Sequence, residues 1–195
     1  FLKAGILHAN WVNTVSEAYA REIQCQEGGE GLDGVMREVS GKLSGIVNGI
    51  DVKEYDPMSD PQIRVHFNGK SITKKKKNKE RLQDLLGLQK DSSAMVIGMV
   101  SRLTQQKGFD LVRAVMEEMM DTMNVQFAVL GTGEEQFQDF FRHFDWKYPD
   151  RVSATIGYSE ELAHMIYGGA DAFLMPSQFE PCGLSQLISM RYGTI

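Results

Sequence analysis

Glu180 stands in a stretch whose residue types suit an anion. Residues 171–193 read D-A-F-L-M-P-S-Q-F-E-P-C-G-L-S-Q-L-I-S-M-R-Y-G. Ala172, Phe173, Leu174 and Met175 form a short apolar run of the kind that makes a buried strand, and Leu184, Leu187, Ile188 and Tyr192 recur at helical spacing. The turn between them places the Glu180 carboxylate and the backbone amides of Gly183, Leu184 and Ser185 at a strand end and a helix start. Amides at a helix start point outward and the helix dipole favours negative charge, so a phosphate fits there. Two cations, Arg102 and Lys107, share the short segment S-R-L-T-Q-Q-K-G. Arginine forks two phosphate oxygens and lysine adds a point charge, which suits a diphosphate. Gly131-Thr132-Gly133 is small enough for a ligand to approach the backbone, and Tyr158 offers an aromatic face to a base. Taken singly, each residue has an ordinary reading, as an ion-pair partner, a helix-start charge, a tight turn or rim packing.

These residues need elements to hold them on one edge, and the pattern supplies them. Residues 94–100 read as a buried strand, 110–120 as a helix with Leu111, Val112, Val115, Met116 and Met119 on one face, and 125–130 as the next strand. An amphipathic helix over 134–148, a strand over 152–156 and a helix over 159–167 follow. Strands alternating with helices imply parallel pairing with right-handed crossovers, so an α/β fold with a doubly wound parallel sheet is expected. All such strands end at one edge, and the loops with Arg102, Gly131, Tyr158 and Glu180 each follow a strand. The convergence of two cations, a glycine turn, an aromatic and a carboxylate describes a nucleotide-diphosphate pocket with an acid beside it.

The earlier residues alternate less regularly. The chain opens in helical pattern, 11–15 reads as a strand, and Ser16 can cap a helix running to Ile23. After the glycines at 28, 29 and 31 comes a helical stretch around Val35, Met36 and Val39, then a small strand over 43–47 and the turn Asn48-Gly49-Ile50-Asp51. Residues 51–73 show little regular pattern and are expected to be a linker and domain junction. The run Lys74-Lys75-Lys76-Lys77 reads as the solvated start of an amphipathic helix that ends at Gly87. The methionines of the later helices read as core filler, and His164 as structural.

Composition narrows the function classes. The chain has 195 residues, 42% hydrophobic and 24% charged, with a formal net charge of −5. That balance argues against a nucleic-acid surface, which needs a clustered excess of Lys and Arg. No apolar run approaches the roughly twenty residues needed to span a bilayer, and no signal pattern opens the chain, so no membrane partner and a cytoplasmic location are expected. Two cysteines, Cys25 and Cys182, give no disulfide framework, and the four histidines lack metal-ligand spacing. Neither a metal nor another cofactor is expected.

The segments S-R-L-T-Q-Q-K-G-F-D-L, L-G-T-G, G-Y-S-E-E-L-A-H-M-I-Y-G-G-A-D and P-S-Q-F-E-P-C-G-L-S-Q-L-I-S-M-R-Y-G-T, with T-V-S-E-A-Y-A-R-E-I and N-G-I-D upstream, resemble the bacterial glycogen synthase and plant starch synthase family. The likeness runs through nearly the whole chain in the family's order, and F-E-P-C-G-L-x-Q-L is its most specific segment. It implies the two-domain GT-B fold. Residues 1–50 would be the tail of the N-terminal, acceptor-side domain, 51–73 the junction, and 74–195 a nucleotide-sugar-binding, Rossmann-like C-terminal domain truncated at its end. It also implies transfer of glucose from ADP-glucose to the non-reducing end of an α-1,4-glucan with retention of configuration, and a cytoplasmic location in a bacterium or a plastid one in a plant.

Carried over position by position, the resemblance puts Arg102 and Lys107 on the donor's diphosphate and Glu180 at the glucosyl group. Gly183, Leu184 and Ser185 would lie near the distal phosphate, Cys182 in the sugar-side loop, Tyr158 near the adenine and Asn48 near the donor at the junction, with Gly131 in the glycine turn. Glu180 would position the sugar or steady an oxocarbenium ion, a covalent glycosyl–enzyme being the less favoured option. Related retaining enzymes carry a second glutamate where this chain has Ile188, as the ADP-glucose branch does. A UDP- or GDP-sugar enzyme, or a nucleotide-binding module without activity, is the alternative. The family's Lys-x-Gly-Gly-Leu loop and cleft histidine would precede Phe1 and its Thr-Gly-Gly loop would follow Ile195, so residues 1–195 alone are expected to be inactive.

Overall fold

A computed structural model describes residues 1–195 and divides them into two compact units, Phe1–Gly49 with Phe179–Leu184, and Ile50–Gln178 with Ser185–Ile195. In the first unit, helix α1 (Leu2–His8), strand β1 (Val12–Thr14), helices α2 (Glu17–Glu22) and α3 (Asp33–Glu38) and strand β2 (Leu43–Gly45) follow one another. Strands β1 and β2 pair in parallel, Val12 opposite Leu43. Ser16 takes the N-cap expected of it, its hydroxyl accepting from the Tyr19 amide at 2.9 Å. Ile6, Val35 and Val39 form the buried centre of this unit. Lys42 donates to the carbonyls of Leu7 and Ala9, which α1 leaves unpaired at its end.

The second unit contains α4 (Lys75–Leu85), β3 (Met95–Val100), α5 (Phe109–Thr122), β4 (Val125–Gly131), α6 (Glu135–Lys147), β5 (Val152–Ile156), α7 (Glu160–Gly169), β6 (Ala172–Phe173) and α8 (Leu184–Arg191), whose first residue is grouped with the first unit. Its four strands are all parallel, in the order β5-β4-β3-β6. Side chains alternate along β3. Ile97 and Met99 pack on one face with Phe109, Val112 and Met116 of α5 and Phe137 and Phe141 of α6. Val96 turns to the other face, against Leu82 of α4 and Ile166 of α7. Helices thus cover both faces, as the expected doubly wound sheet requires. Strand β6 is shorter than the apolar run suggested. Past Phe173 the backbone keeps one bond to the sheet, Leu174 amide to Gly98 carbonyl at 2.9 Å, and then reaches Pro176, which has no amide to donate.

Residues 51–73 hold no strand and one 3₁₀ turn, Gly69–Lys74, yet they are packed, with Ile63 and Phe67 buried against Tyr167, Ile188 and Tyr192. Asp60 lies in the same place, 1% exposed, and accepts from the Tyr192 hydroxyl at 2.5 Å while its carboxylate stands 2.9 Å from His164 Nδ1. Burial first, and then Asp60, raises the Tyr192 phenol well above its ordinary range. No helix is long and apolar enough to cross a membrane.

One reading of the charge run is corrected. Lys75 is not a solvated helix-start residue but is buried, its ammonium donating to the carbonyls of Tyr167 and Gly168 and to the Thr194 hydroxyl at 2.7–3.0 Å. It closes the open carbonyl end of α7, where the Tyr167 carbonyl also accepts from the Thr194 hydroxyl and the Gly168 carbonyl takes its donor from Lys75. Lys79, one turn on, is buried as well and pairs with Asp171 at 2.7 Å. Burial pulls the Lys75 ammonium down to about 7 from its ordinary 10.5, with Asp171 opposing. Between those values the unfolded chain binds more protons than the folded one, so Lys75 makes stability rise with pH across that window. Lys75→Met is expected to cost roughly 1–3 kcal/mol by removing the donor to the buried Gly168 carbonyl. Urea denaturation from pH 7 to 10 should also show a flatter pH dependence for the variant than for the parent.

Candidate functional site at the strand ends

The strand order reverses at β3. The chain steps outward through β4 and β5, then returns to place β6 on the other side of β3. Loops leaving β3 and β6 therefore diverge to opposite faces and open a crevice at their carboxyl ends, where open α/β sheets bind ligands. The loop after β3 is residues 101–108, with both cations, and the loop after β6 leads to Glu180.

Backbone bonds fix the first of these loops. Ser101 and Leu103 donate to Leu130 and Thr132, and Glu134 donates to Leu103 at 2.7 Å, so the loops after β3 and β4 run side by side. The Glu134 carboxylate accepts from the Gln105 amide, which, ahead of the Gln136 side chain, holds its pKa below the ordinary glutamate value. A side chain at Gly131 would fall 2.0 Å from the Ser101 carbonyl oxygen, so only glycine permits this approach. The Gly157 amide donates to the Gly131 carbonyl at 3.0 Å, which ties in the loop after β5.

The cation loop also meets the loop after β6. Lys107 closes a 3₁₀ turn at Gln105–Lys107, and Gly108 follows in the left-handed conformation at φ 72°. A Cβ on Gly108 would lie 1.9 Å from the Pro176 carbonyl oxygen. The Gln178 amide donates to the Gln106 carbonyl at 2.9 Å, two residues before Glu180 in sequence. Lys107 and Glu180 both have interaction partners.

Arg102, Gly131, Tyr158 and Ser185 line one cavity of about 280 Å³, together with Ser101, Thr132 and Ala163. Four of the residues singled out from sequence are thus brought together at the strand ends. Tyr158 is 86% exposed, a ring with one face open to a planar ligand. Ser185 reaches the Tyr167 phenol, whose pKa burial pushes up and that hydrogen bond pulls down. Asn48, Glu180, Cys182, Gly183 and Leu184 belong to the first unit, whereas every residue lining the cavity belongs to the second. Gly183 sits at φ 77° directly before α8, which begins at Leu184. Two polar groups that the sequence offered only as loop members gain a place here. Thr132 lies on the cavity wall between the two glycines already noted. Thr104, between the cations, has a buried hydroxyl without a hydrogen-bond partner, a group that water or ligand ordinarily satisfies. Its only sequence signal was its position in the cation loop.

A parallel sheet covered on both faces, with its crevice at the order reversal, is the layout of the nucleotide-sugar-binding half of a GT-B glycosyltransferase. Residues 94–195 match the family described as Glycosyl transferases group 1, and residues 1–38 match the Starch synthase catalytic domain. Over its whole length the chain is 58% identical to a glycogen synthase of Lachnospira eligens and 53% identical to one of Clostridioides difficile, spanning 41% and 40% of those proteins. The catalytic domain of Starch Synthase IV from Arabidopsis thaliana, solved with ADP and acarbose, superposes on all of the chain and 40% of its own with a TM-score of 0.92 at 38% identity. The chain belongs to the glycogen synthase and starch synthase family of glycosyltransferases.

The contact at Gly108 gives a test of the site's construction. Gly108→Ala combines a left-handed residue with a clash against the Pro176 carbonyl and is expected to cost about 2 kcal/mol or more, against roughly 1 kcal/mol for an unstrained helix-start change. Denaturant midpoints of the two proteins would measure it.

Proposed function

We propose that the full-length protein carrying this chain transfers glucose from ADP-glucose to the non-reducing end of an α-1,4-glucan with retention of configuration. The observation that carries the reading is the crevice at the reversal of strand order, where a 280 Å³ cavity holds Arg102, Gly131, Tyr158 and Ser185 together. Support comes from relatives 58% and 53% identical that are glycogen synthases, and from a starch synthase structure that carries ADP and acarbose. The chain spans about two fifths of those relatives' length, so acceptor and donor are assigned to the longer protein.

In this reading the adenine stacks on Tyr158 and the diphosphate lies against Arg102, Lys107 and the Ser185 amide. The bond from the anomeric carbon to the diphosphate oxygen breaks, and its electron pair leaves with ADP. The acceptor's 4-hydroxyl oxygen bonds to the same carbon, and its proton ends on the departing phosphate. Charge on that phosphate grows toward the transition state, so fixed cations there stabilise the transition state more than the ground state. Glu180 steadies the positive charge that the anomeric carbon gains. Burial of the Thr104 hydroxyl without a partner fits a loop completed by ligand or water.

Arg102→Ala should weaken ADP binding about 10–100-fold, the value of one charge-assisted contact of roughly 1.5–3 kcal/mol. Calorimetric titration would measure it, and unchanged affinity would remove Arg102 from the donor site. Glu180→Gln should lower kcat on ADP-glucose and glycogen by about 100-fold or more while ADP affinity holds. Faster glucan extension from UDP-glucose than from ADP-glucose would overturn the donor assignment.

A further inference from the structure

Folding gathers a second set of chemically competent side chains that no part of the proposed transfer uses. Glu54, Glu160 and His164 each offer a ligand atom, and these atoms all lie within 4.8 Å of one another. Glu160 and His164 are four residues apart on α7 and share a face of it. Glu54 comes from the turn after Asp51, whose carboxylate accepts from the amides of Lys53 and Glu54 and so fixes the backbone there.

The imidazole is what distinguishes this set from a patch of surface acids. His164 is 4% exposed, and its Nδ1 lies 2.9 Å from the carboxylate of Asp60, itself 1% exposed. A carboxylate on Nδ1 holds the proton there and turns the lone pair of Nε2 outward, the arrangement found behind metal-bound histidines. The ring's bonds to Asp60 and Tyr192 run through Nδ1, and the Tyr55 ring, stacked 4.9 Å from the imidazole, restricts its swing. Both glutamates are exposed, Glu54 with the Tyr55 phenol as a hydrogen-bond partner. Ligand atoms in a tetrahedral site with bonds near 2.0–2.1 Å stand about 3.4 Å apart, a contraction that rotation of two glutamate side chains can supply.

We propose that Glu54, Glu160 and His164 bind a divalent first-row transition ion, with Asp60 as the positioning residue behind the histidine and water at the open coordination place. One imidazole with two carboxylates favours Zn²⁺ or Co²⁺ over Mg²⁺ and Ca²⁺, which take all-oxygen shells. The ion clips the turn at residues 51–55 to the start of α7.

The test uses the full-length protein freed of metal by chelation. Addition of Co²⁺ is expected to produce a visible absorption band that saturates at one equivalent, that Zn²⁺ abolishes and that Mg²⁺ leaves alone. Zn²⁺ should raise the unfolding temperature. The double variant Glu54→Gln, Glu160→Gln changes two exposed side chains and leaves the buried Asp60–His164 pair intact. It should fold as the parent does without metal, lose the band, and bind Zn²⁺ about tenfold more weakly or worse. Absence of a saturable band in the parent, or an equal band and Zn²⁺ affinity in the double variant, would overturn the proposal. Arg102→Ala should keep the band, so failure here is separate from failure of the donor assignment.

Discussion

The second unit depends on the central position of β3. It pairs with β4 along its whole length and with β6 over Ile97 and Gly98, and every residue from Val96 to Met99 is buried. A strand buried on both faces must be apolar throughout, and M-V-I-G-M-V is. The same central position creates the crevice, because strands added on either side of β3 send their connections to opposite faces. The hydrophobic requirement of the core and the location of the ligand site are therefore one constraint. A polar side chain placed in β3 would damage both.

Where the chain needs polar groups inside, it satisfies them with one another. Lys75 meets three acceptors, Asp60 meets Tyr192 and His164, and Gln83 donates to Gln126 at 2.8 Å across the end of the sheet. Each of these joins segments far apart in sequence. Residues 50–67, α7 and α8 are held as much by this network as by the apolar contacts of Ile63, Phe67 and Tyr167. A buried polar atom without a partner is costly, so such a network permits one arrangement and penalises others. Thr104, whose hydroxyl lacks a partner, lies in the cation loop and outside the network.

The sheet and its helices were legible because their information is local. Short apolar runs and period-3.6 spacing placed β3 to β5 and α5 to α7 nearly to the residue, and Ser16 was readable as a cap from its type and place. The cation loop and the glycine turn were legible as loops after strands, and the family resemblance added their roles. What escaped was non-local. Lys75 looked like its neighbours Lys74 and Lys76, since nothing in a run of four lysines says which one meets the end of a helix 92 residues away. The packing of residues 51–73 was equally hidden. Its buried residues, Asp60, Ile63 and Phe67, stand three and four apart as on a helix, but one of them is charged, Pro57 and Pro61 interrupt the segment, and the backbone that carries them inward is not helical.

His164 shows how the two kinds of information combine. The sequence reads it as a structural residue of an amphipathic helix, and its ring, 4% exposed, bonds to Asp60. A buried imidazole held at one nitrogen by a buried carboxylate is also oriented at the other, whatever that nitrogen then meets. Turn residues 51–55 bring the Glu54 carboxylate within 4.8 Å of a ring nitrogen and stack the Tyr55 ring on the imidazole face. The Asp60 carboxylate therefore does two jobs with one geometry, satisfying Tyr192 in the core and fixing the orientation of an imidazole that lies within 4.8 Å of two exposed carboxylates. A purely structural histidine would need only the first.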